Sequence, residues 1–202
     1  MNIMDFWDTR YSEPGFVYGT EPNEFLVMAT KNIPKGRVLC LAEGEGRNAV
    51  YLAGLGYDVT GVDSSPIGMK KAAELAKSRN VSITTVVADL AEFTIVPNHW
   101  DGIVSIFCHV PPELRARVHR AAVAGLRPGG AFVLEAYTPR QLELGTGGPQ
   151  SLELMMTLDV LREELRGLEL IVALETERVV NEGHFHRGPG AVVQLVGIKA
   201  GG

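Results

Sequence analysis

Between Leu39 and Asp63 the chain changes its period twice within 25 residues, and that change constrains the fold more than any other feature. Arg37–Ala42 is a short apolar run introduced by the turn residues Pro34, Lys35 and Gly36. Glu43-Gly44-Glu45-Gly46 then turns the chain, a helical pattern runs from about Arg47 to Leu55, and Gly56 stops it. A second β-like run, Asp58–Val62, ends at Asp63. Short β-like runs that alternate with helical ones point to an α/β fold with a parallel sheet.

The same alternation continues. Ser64 or Ser65 is placed to cap a helix with Pro66 in its first turn, running to about Arg79. Ile83–Val87 is a third strand that delivers Asp89, and Gly102–Phe107 a fourth that delivers Cys108 and His109. Leu114, Val118, Ala121 and Ala122 mark a helix over Pro111–Leu126. Arg127-Pro128-Gly129-Gly130 breaks it before a fifth strand, Ala131–Ala136. A Gly-rich loop and a helix near Thr157–Arg166 follow. Two long β runs, Glu169–Val180 and Ala191–Lys199, close the chain around a turn at Arg187–Gly190, too close in sequence for a crossover and therefore antiparallel. The expected fold is α/β: a Rossmann-like, doubly wound, seven-stranded sheet, mostly parallel, with an antiparallel C-terminal hairpin strand. It forms one domain, with residues 1–33 as a cap segment and 34–200 as the core.

Composition narrows the function. The 202 residues carry 19 Lys and Arg against 24 Asp and Glu, a net charge of −5, which gives no electrostatic footprint for a nucleic acid. No apolar run approaches the roughly 20 residues of a membrane span, and the first ten residues, with two Asp and a Trp, do not read as a signal peptide. Cys40 and Cys108 both sit in apolar runs and read as reduced core residues, so the expected location is the cytoplasm. His184 and His186 alternate on a strand without a suitable third ligand, so no metal is expected.

The chemistry gathers where strands end. Glycines at Gly44 and Gly46 let a ligand lie against the backbone. Asp63, 19 residues after Gly44, is placed to accept both hydroxyls of an adenosine ribose, and Asp89 to meet the adenine edge. Ligands of open parallel sheets bind at that carboxyl edge. Gly44-Glu45-Gly46-Arg47-Asn48-Ala49 also fits the dinucleotide pattern, but Glu43 and Glu45 put negative charge where a pyrophosphate would dock. S-adenosylmethionine has no phosphate and carries a sulfonium and an ammonium, which suit an acidic turn.

Together with Phe6-Trp7-Asp8-Thr9-Arg10-Tyr11, Tyr18-Gly19 with Pro22-Asn23, Gly61-Val62-Asp63-Ser64-Ser65, Ala88-Asp89-Leu90 and Leu126-Arg127-Pro128-Gly129-Gly130, this segment resembles the class I S-adenosylmethionine-dependent methyltransferases, specifically the tellurite-resistance and thiopurine-methyltransferase-like group. The chain departs from the superfamily's Asp-x-Gly-x-Gly-x-Gly turn at Cys40 and Ala42. The resemblance implies S-adenosylmethionine as cofactor and S-adenosylhomocysteine as product. Trp7, Arg10, Tyr11 and Tyr18 would cover the methionyl end, with Arg10 on its carboxylate. Glu43, Gly44, Glu45, Gly46, Arg47 and Asn48 would form the cradle. Asp63 and Ser64 would sit at the ribose, and Asp89, Leu90 and Phe107 around the adenine and the strand ends. It also implies methyl transfer to a small acceptor, a thiol or a chalcogen oxyanion such as tellurite. His109, His186 and Arg187 are the candidates for acceptor contact or proton removal. An NAD(P)-dependent oxidoreductase and a non-catalytic S-adenosylmethionine-binding protein are the alternatives, and oligomeric state is not legible.

Overall fold

The computed structural model describes residues 3–183 and 186–201, with the side chains of residues 3–5 and of 186 outside the description. Seven strands form one sheet: β1 Arg37–Leu41, β2 Asp58–Asp63, β3 Thr84–Val87, β4 Trp100–Ile106, β5 Leu126–Tyr137, β6 Leu168–Glu182 and β7 His186–Lys199. Their order is β3-β2-β1-β4-β5-β7-β6. The first five run parallel, β7 is antiparallel to β5, and β6 is antiparallel to β7. Strand order reverses at β1, between β2 and β4, where a doubly wound sheet binds its ligand.

Side-chain alternation splits the core into two layers. Val38 and Cys40 of β1 face α2 (Glu24–Ala29) and α3 (Arg47–Gly54), packing with Phe25, Leu26, Ala49 and Leu52. Leu39 and Leu41 face the other way, onto α5 (Pro112–Gly125) and α7 (Leu158–Glu164) through Val118, Ala122, Leu161 and Leu165. A sheet covered on both faces needs apolar residues at successive positions, hence the unbroken run that begins the chain's informative segment. α4 (Pro66–Ser78) packs beside α3 through Val50, Leu75 and Ala76. Ser65 is its cap: Ser65 Oγ accepts the Gly68 N–H at 3.0 Å.

Three expectations shift. Arg127–Gly130 ends α5 as anticipated but is absorbed into β5 as a register irregularity against Trp100 and Gly102. The hairpin turn lies after Glu182, around Gly183 (φ +74), and Arg187–Gly190 belongs to β7. Pro189 is tolerated there because β5 pairs with β7 only from Val192 onward, so that stretch has a free edge. Two short helices escaped the periodicity: α2, capped by Asn23, and α6 (Gln141–Leu144). No helix among the described residues is long and apolar enough to cross a membrane.

Candidate active site

The glycine turn joins β1 to α3 at the carboxyl edge of the sheet. Asp63, closing β2, accepts the Gly44 N–H at 2.9 Å on Oδ2 and the Ser65 N–H at 2.8 Å on Oδ1, and is 6% exposed. Burial raises its carboxyl above the usual range, against the pull of those N–H groups. A carboxylate has about four acceptor sites, so the same group can shape the turn and still receive a hydroxyl donor. Ser64 is half-buried at the start of the following turn.

Gly46 (φ +91) is glycine for a reason other than the one read from sequence. A Cβ there would fall 2.5 Å from the Ala72 Cβ and 2.7 Å from its Cα, so Gly46 lets α3 and α4 approach. Gly44 (φ +61) does face the cap, where a Cβ would lie 2.5 Å from Tyr11 Oη. Ala42 stands at φ +48, the left-handed conformation that the superfamily's glycine would adopt freely.

Both acidic residues of the turn are committed within the protein. Glu43 Oε1 accepts the N–H groups of Asn48 (3.0 Å) and Ala49 (2.8 Å), satisfying donors at the start of α3. Burial pushes its carboxyl up to about 7. Glu45 Oε2 accepts from Val17 N (2.7 Å) and Tyr18 N (3.3 Å), and Oε1 receives Lys71 Nζ at 2.9 Å. Asn48 Oδ1 accepts the Asn23 N–H at 2.9 Å. The turn therefore holds residues 17–23 over itself as a strap.

α1 (Ile3–Tyr11) and the strap bring the aromatic candidates together. Trp7 and Tyr11 stack with centroids 5.5 Å apart, and Tyr18 lies 6.4 Å from Trp7 and 6.3 Å from Tyr11. Ser65 Oγ donates to Asp8 Oδ1 at 2.5 Å, fixing α1 over the start of α4. Arg10 Nη1 approaches Tyr18 Oη at 3.5 Å, and its guanidinium lies over the Phe6 ring. Arg47 opens α3 with Nη2 donating to Glu182 Oε2 at 2.5 Å. Its Nη1 is buried without a partner among the described residues.

On the far side of the edge, Asp89 forms a local turn: Oδ1 accepts the Ala91 N–H at 2.8 Å. Asp89 and Leu90 are half-buried there. Phe107 ends β4 at φ +52 and stacks on Tyr137 at 4.6 Å. His109 is not placed as a base. Its Nε2 accepts the Tyr137 N–H at 3.3 Å, so Nδ1 carries the proton and donates to Leu154 O at 2.8 Å. Burial lowers its pKa to about 4. The ring clamps the end of β5 to the 152–156 segment. Arg187 is exposed, and His186 begins β7 opposite Glu182, at the same edge as the glycine turn. The His186 side chain and all of His184 lie outside the described residues.

Sequence reading missed a buried network beneath the strap. Asn23 Nδ2 donates to Glu135 Oε1 (2.7 Å) and Glu182 Oε1 (2.9 Å), and Gln194 Nε2 donates to Glu135 Oε2 at 2.5 Å. Arg178 Nε donates to Glu135 Oε2 at 3.0 Å, and Arg178 Nη2 to Glu182 Oε1 at 2.7 Å. A Glu at position 135, inside the apolar run of β5, was the available signal.

Residues 38–130 match the family described as a methyltransferase domain. The 2-heptyl-1-hydroxyquinolin-4(1H)-one methyltransferase of Mycobacteroides abscessus is 25% identical over 160 residues, 73% of this chain and 70% of that protein. The "Probable S-adenosyl-L-methionine-dependent methyltransferase TehB" of Haemophilus influenzae is 39% identical over 80 residues, 40% of this chain but 28% of its own length. A structure solved for the conversion of a disulfide bond into a thioacetal group during echinomycin biosynthesis superposes with a TM-score of 0.80 at 20% identity, covering 98% of this chain and 92% of that one.

Residues 38–130 thus match a methyltransferase domain, set in a fold shared with solved S-adenosylmethionine-dependent methyltransferases. The residues at this edge fit S-adenosylmethionine: Asp63 keeps acceptor capacity at the end of β2, and Arg47 Nη1 is a buried cationic donor without an acceptor among the described residues. The acidic turn does not meet the donor's charge in the way the sequence suggested. The carboxylates of Glu43 and Glu45 face α3 and the strap.

Proposed function

We propose that this methyltransferase acts on a small acceptor whose attacking atom is anionic near neutral pH, a thiolate or a chalcogen oxyanion such as tellurite. The observation that carries this reading is His109: with both ring nitrogens bonded to backbone, it can take no proton from an acceptor. An acceptor already deprotonated needs none. S-adenosylmethionine, when bound, would supply an electrophilic methyl group, with S-adenosylhomocysteine as the leaving group. What the chain contributes is alignment and exclusion of water.

Asp63 takes the ribose hydroxyls, Ser64 stands beside it, and Asp89 with Leu90 and Phe107 borders the adenine. Trp7, Tyr11, Tyr18 and Arg10 close over the methionyl end from α1 and the strap. Glu43, Glu45, Gly46 and Asn48 hold the cradle in shape. β7 runs antiparallel to β5, so its first residues, His186 and Arg187, overhang the acceptor side. The relative named for a hydroxyquinolone supports a small acceptor.

The test is S-adenosylhomocysteine formation with a panel of thiols, selenite, tellurite and a 1-hydroxyquinolone, each set beside aliphatic alcohols and amines. Turnover with thiols or chalcogen oxyanions is expected. Turnover confined to alcohols or amines would refute the proposal, because those acceptors need a base.

A further inference from the structure

Arg47 is 7% exposed, and its Nη1 has no hydrogen-bond partner among the described residues. A buried charged N–H without an acceptor costs more than a neutral one, so the vacancy in its bonding calls for an explanation. The guanidinium is not loose, because Nη2 is held by Glu182 Oε2 at 2.5 Å. The neighbouring carboxylates are largely taken up, and Glu182 Oε2 already receives the other arm of Arg47. Glu182 Oε1 already receives Asn23 and Arg178, and Glu135 receives Asn23, Arg178 and Gln194.

The surrounding charges add a second constraint. Among the buried groups Arg47 and Arg178 balance Glu135 and Glu182, and the exposed Glu24 lies 3.5 Å from Arg178. A ligand oxygen that completes Arg47 without unbalancing this buried cluster belongs to a group carrying its own opposite charge. An α-amino acid zwitterion has that property. Arg47 also directly follows the glycine turn, and the hydroxyls of Tyr18 on the strap and Tyr137 at the end of β5 both lie within its field.

We infer that Arg47 Nη1 anchors the α-carboxylate of the amino-acid end of the bound donor, an inference that rests on the donor assignment above. The resemblance drawn from sequence gives that carboxylate to Arg10 instead. Arg10 lies further out, half-buried against Phe6 and Tyr18, whereas Arg47 sits at the base of the strap with a donor in need of an acceptor.

Calorimetric titration of Arg47→Lys, Arg10→Lys and the unaltered protein with two nucleosides tests it. One is S-adenosylhomocysteine; the other is 5′-methylthioadenosine, which has the same nucleoside and thioether but no amino-acid end. Lysine keeps a cation for Glu182 and loses the second arm. Arg47→Lys should weaken S-adenosylhomocysteine on the order of tenfold to a hundredfold and change 5′-methylthioadenosine by less than about twofold. Unchanged S-adenosylhomocysteine affinity, or a parallel loss of both nucleosides, overturns the inference, the second by making Arg47 merely structural. A selective loss in Arg10→Lys alone moves the anchor to Arg10 and overturns it as well. If the unaltered protein binds neither nucleoside, the donor assignment itself fails and takes the inference with it.

Discussion

Glu45 Oε2 accepts the backbone N–H of Val17 at 2.7 Å, so a residue of the glycine turn holds the segment that covers the turn. The same carboxylate reaches Tyr18 N and, through Oε1, Lys71 on α4. Glycine turn, strap and α4 thus meet at one buried side chain. Access to the turn is therefore coupled to the order of residues 17–23.

Replacing Glu45 by Ala leaves the Val17 and Tyr18 N–H groups without their acceptor and Lys71 without its counter-charge, with only the Glu13 and Gly15 carbonyls left to it. The loss of charge-assisted bonds should cost about 2–3 kcal/mol of stability. Proteolysis should become faster within the strap before the core unfolds. Urea denaturation and timed proteolysis measure the two effects, and a strap as resistant as in the unaltered protein would exclude Glu45 as its anchor.

Ala42 holds φ +48, where a Cβ crowds the backbone. Ala42→Gly should relieve that strain and gain about 0.5–1 kcal/mol, reduced in part by the greater freedom of glycine in the unfolded chain. A fall in the denaturation midpoint would mean that the left-handed turn is not the strained element it resembles.

The alternation of periods exposed the sheet and its helices because burial on both faces writes apolar runs and helical spacing directly into the chain. Asp63 was legible for the same reason: a carboxylate closing an apolar strand stands out. The bonds by which Glu45, Asn48 and Asn23 hold the strap were not, since their partners are backbone groups or residues more than 20 positions away, and no local pattern records such pairs. His109 shows the opposite failure. Its place after β4 suggested a base, but only the distances to Tyr137 N and Leu154 O reveal that both nitrogens are occupied. The hairpin turn was misplaced because Gly188-Pro189-Gly190 looks like a turn, whereas Gly183 makes it.

Asp63→Ala removes the acceptor of the Gly44 and Ser65 N–H groups together with the proposed ribose contact. S-adenosylhomocysteine should bind roughly tenfold to a hundredfold more weakly, as expected for losing hydrogen bonds to a charged group. Calorimetry on the folded variant checks this, and undiminished affinity would remove Asp63 from the donor site.

Glu43 and His109 set opposed dependences on pH. Burial raises the Glu43 carboxyl from 4.5 to about 7, so between those values the folded protein keeps a proton that the unfolded chain has released. Its contribution is present below about pH 4.5 and lost as pH rises to 7. Burial lowers His109 from 6.5 to about 4, so the unfolded chain binds the extra proton there, and that contribution is present above 6.5 and lost as pH falls to 4. Each is worth roughly 3 kcal/mol at full extent, and over pH 5 to 6.5 they largely cancel. Glu43→Gln keeps an oxygen for the Asn48 and Ala49 N–H groups but cannot ionise. Its stability should climb from pH 5 to 6.5 along the His109 slope and exceed that of the unaltered protein at pH 8. His109→Asn should show the reverse, falling as pH rises from 5 to 7. Denaturation curves at pH 5, 6, 7 and 8 separate the two, and a Glu43→Gln profile parallel to that of the unaltered protein would mean that Glu43 ionises like an ordinary surface carboxylate.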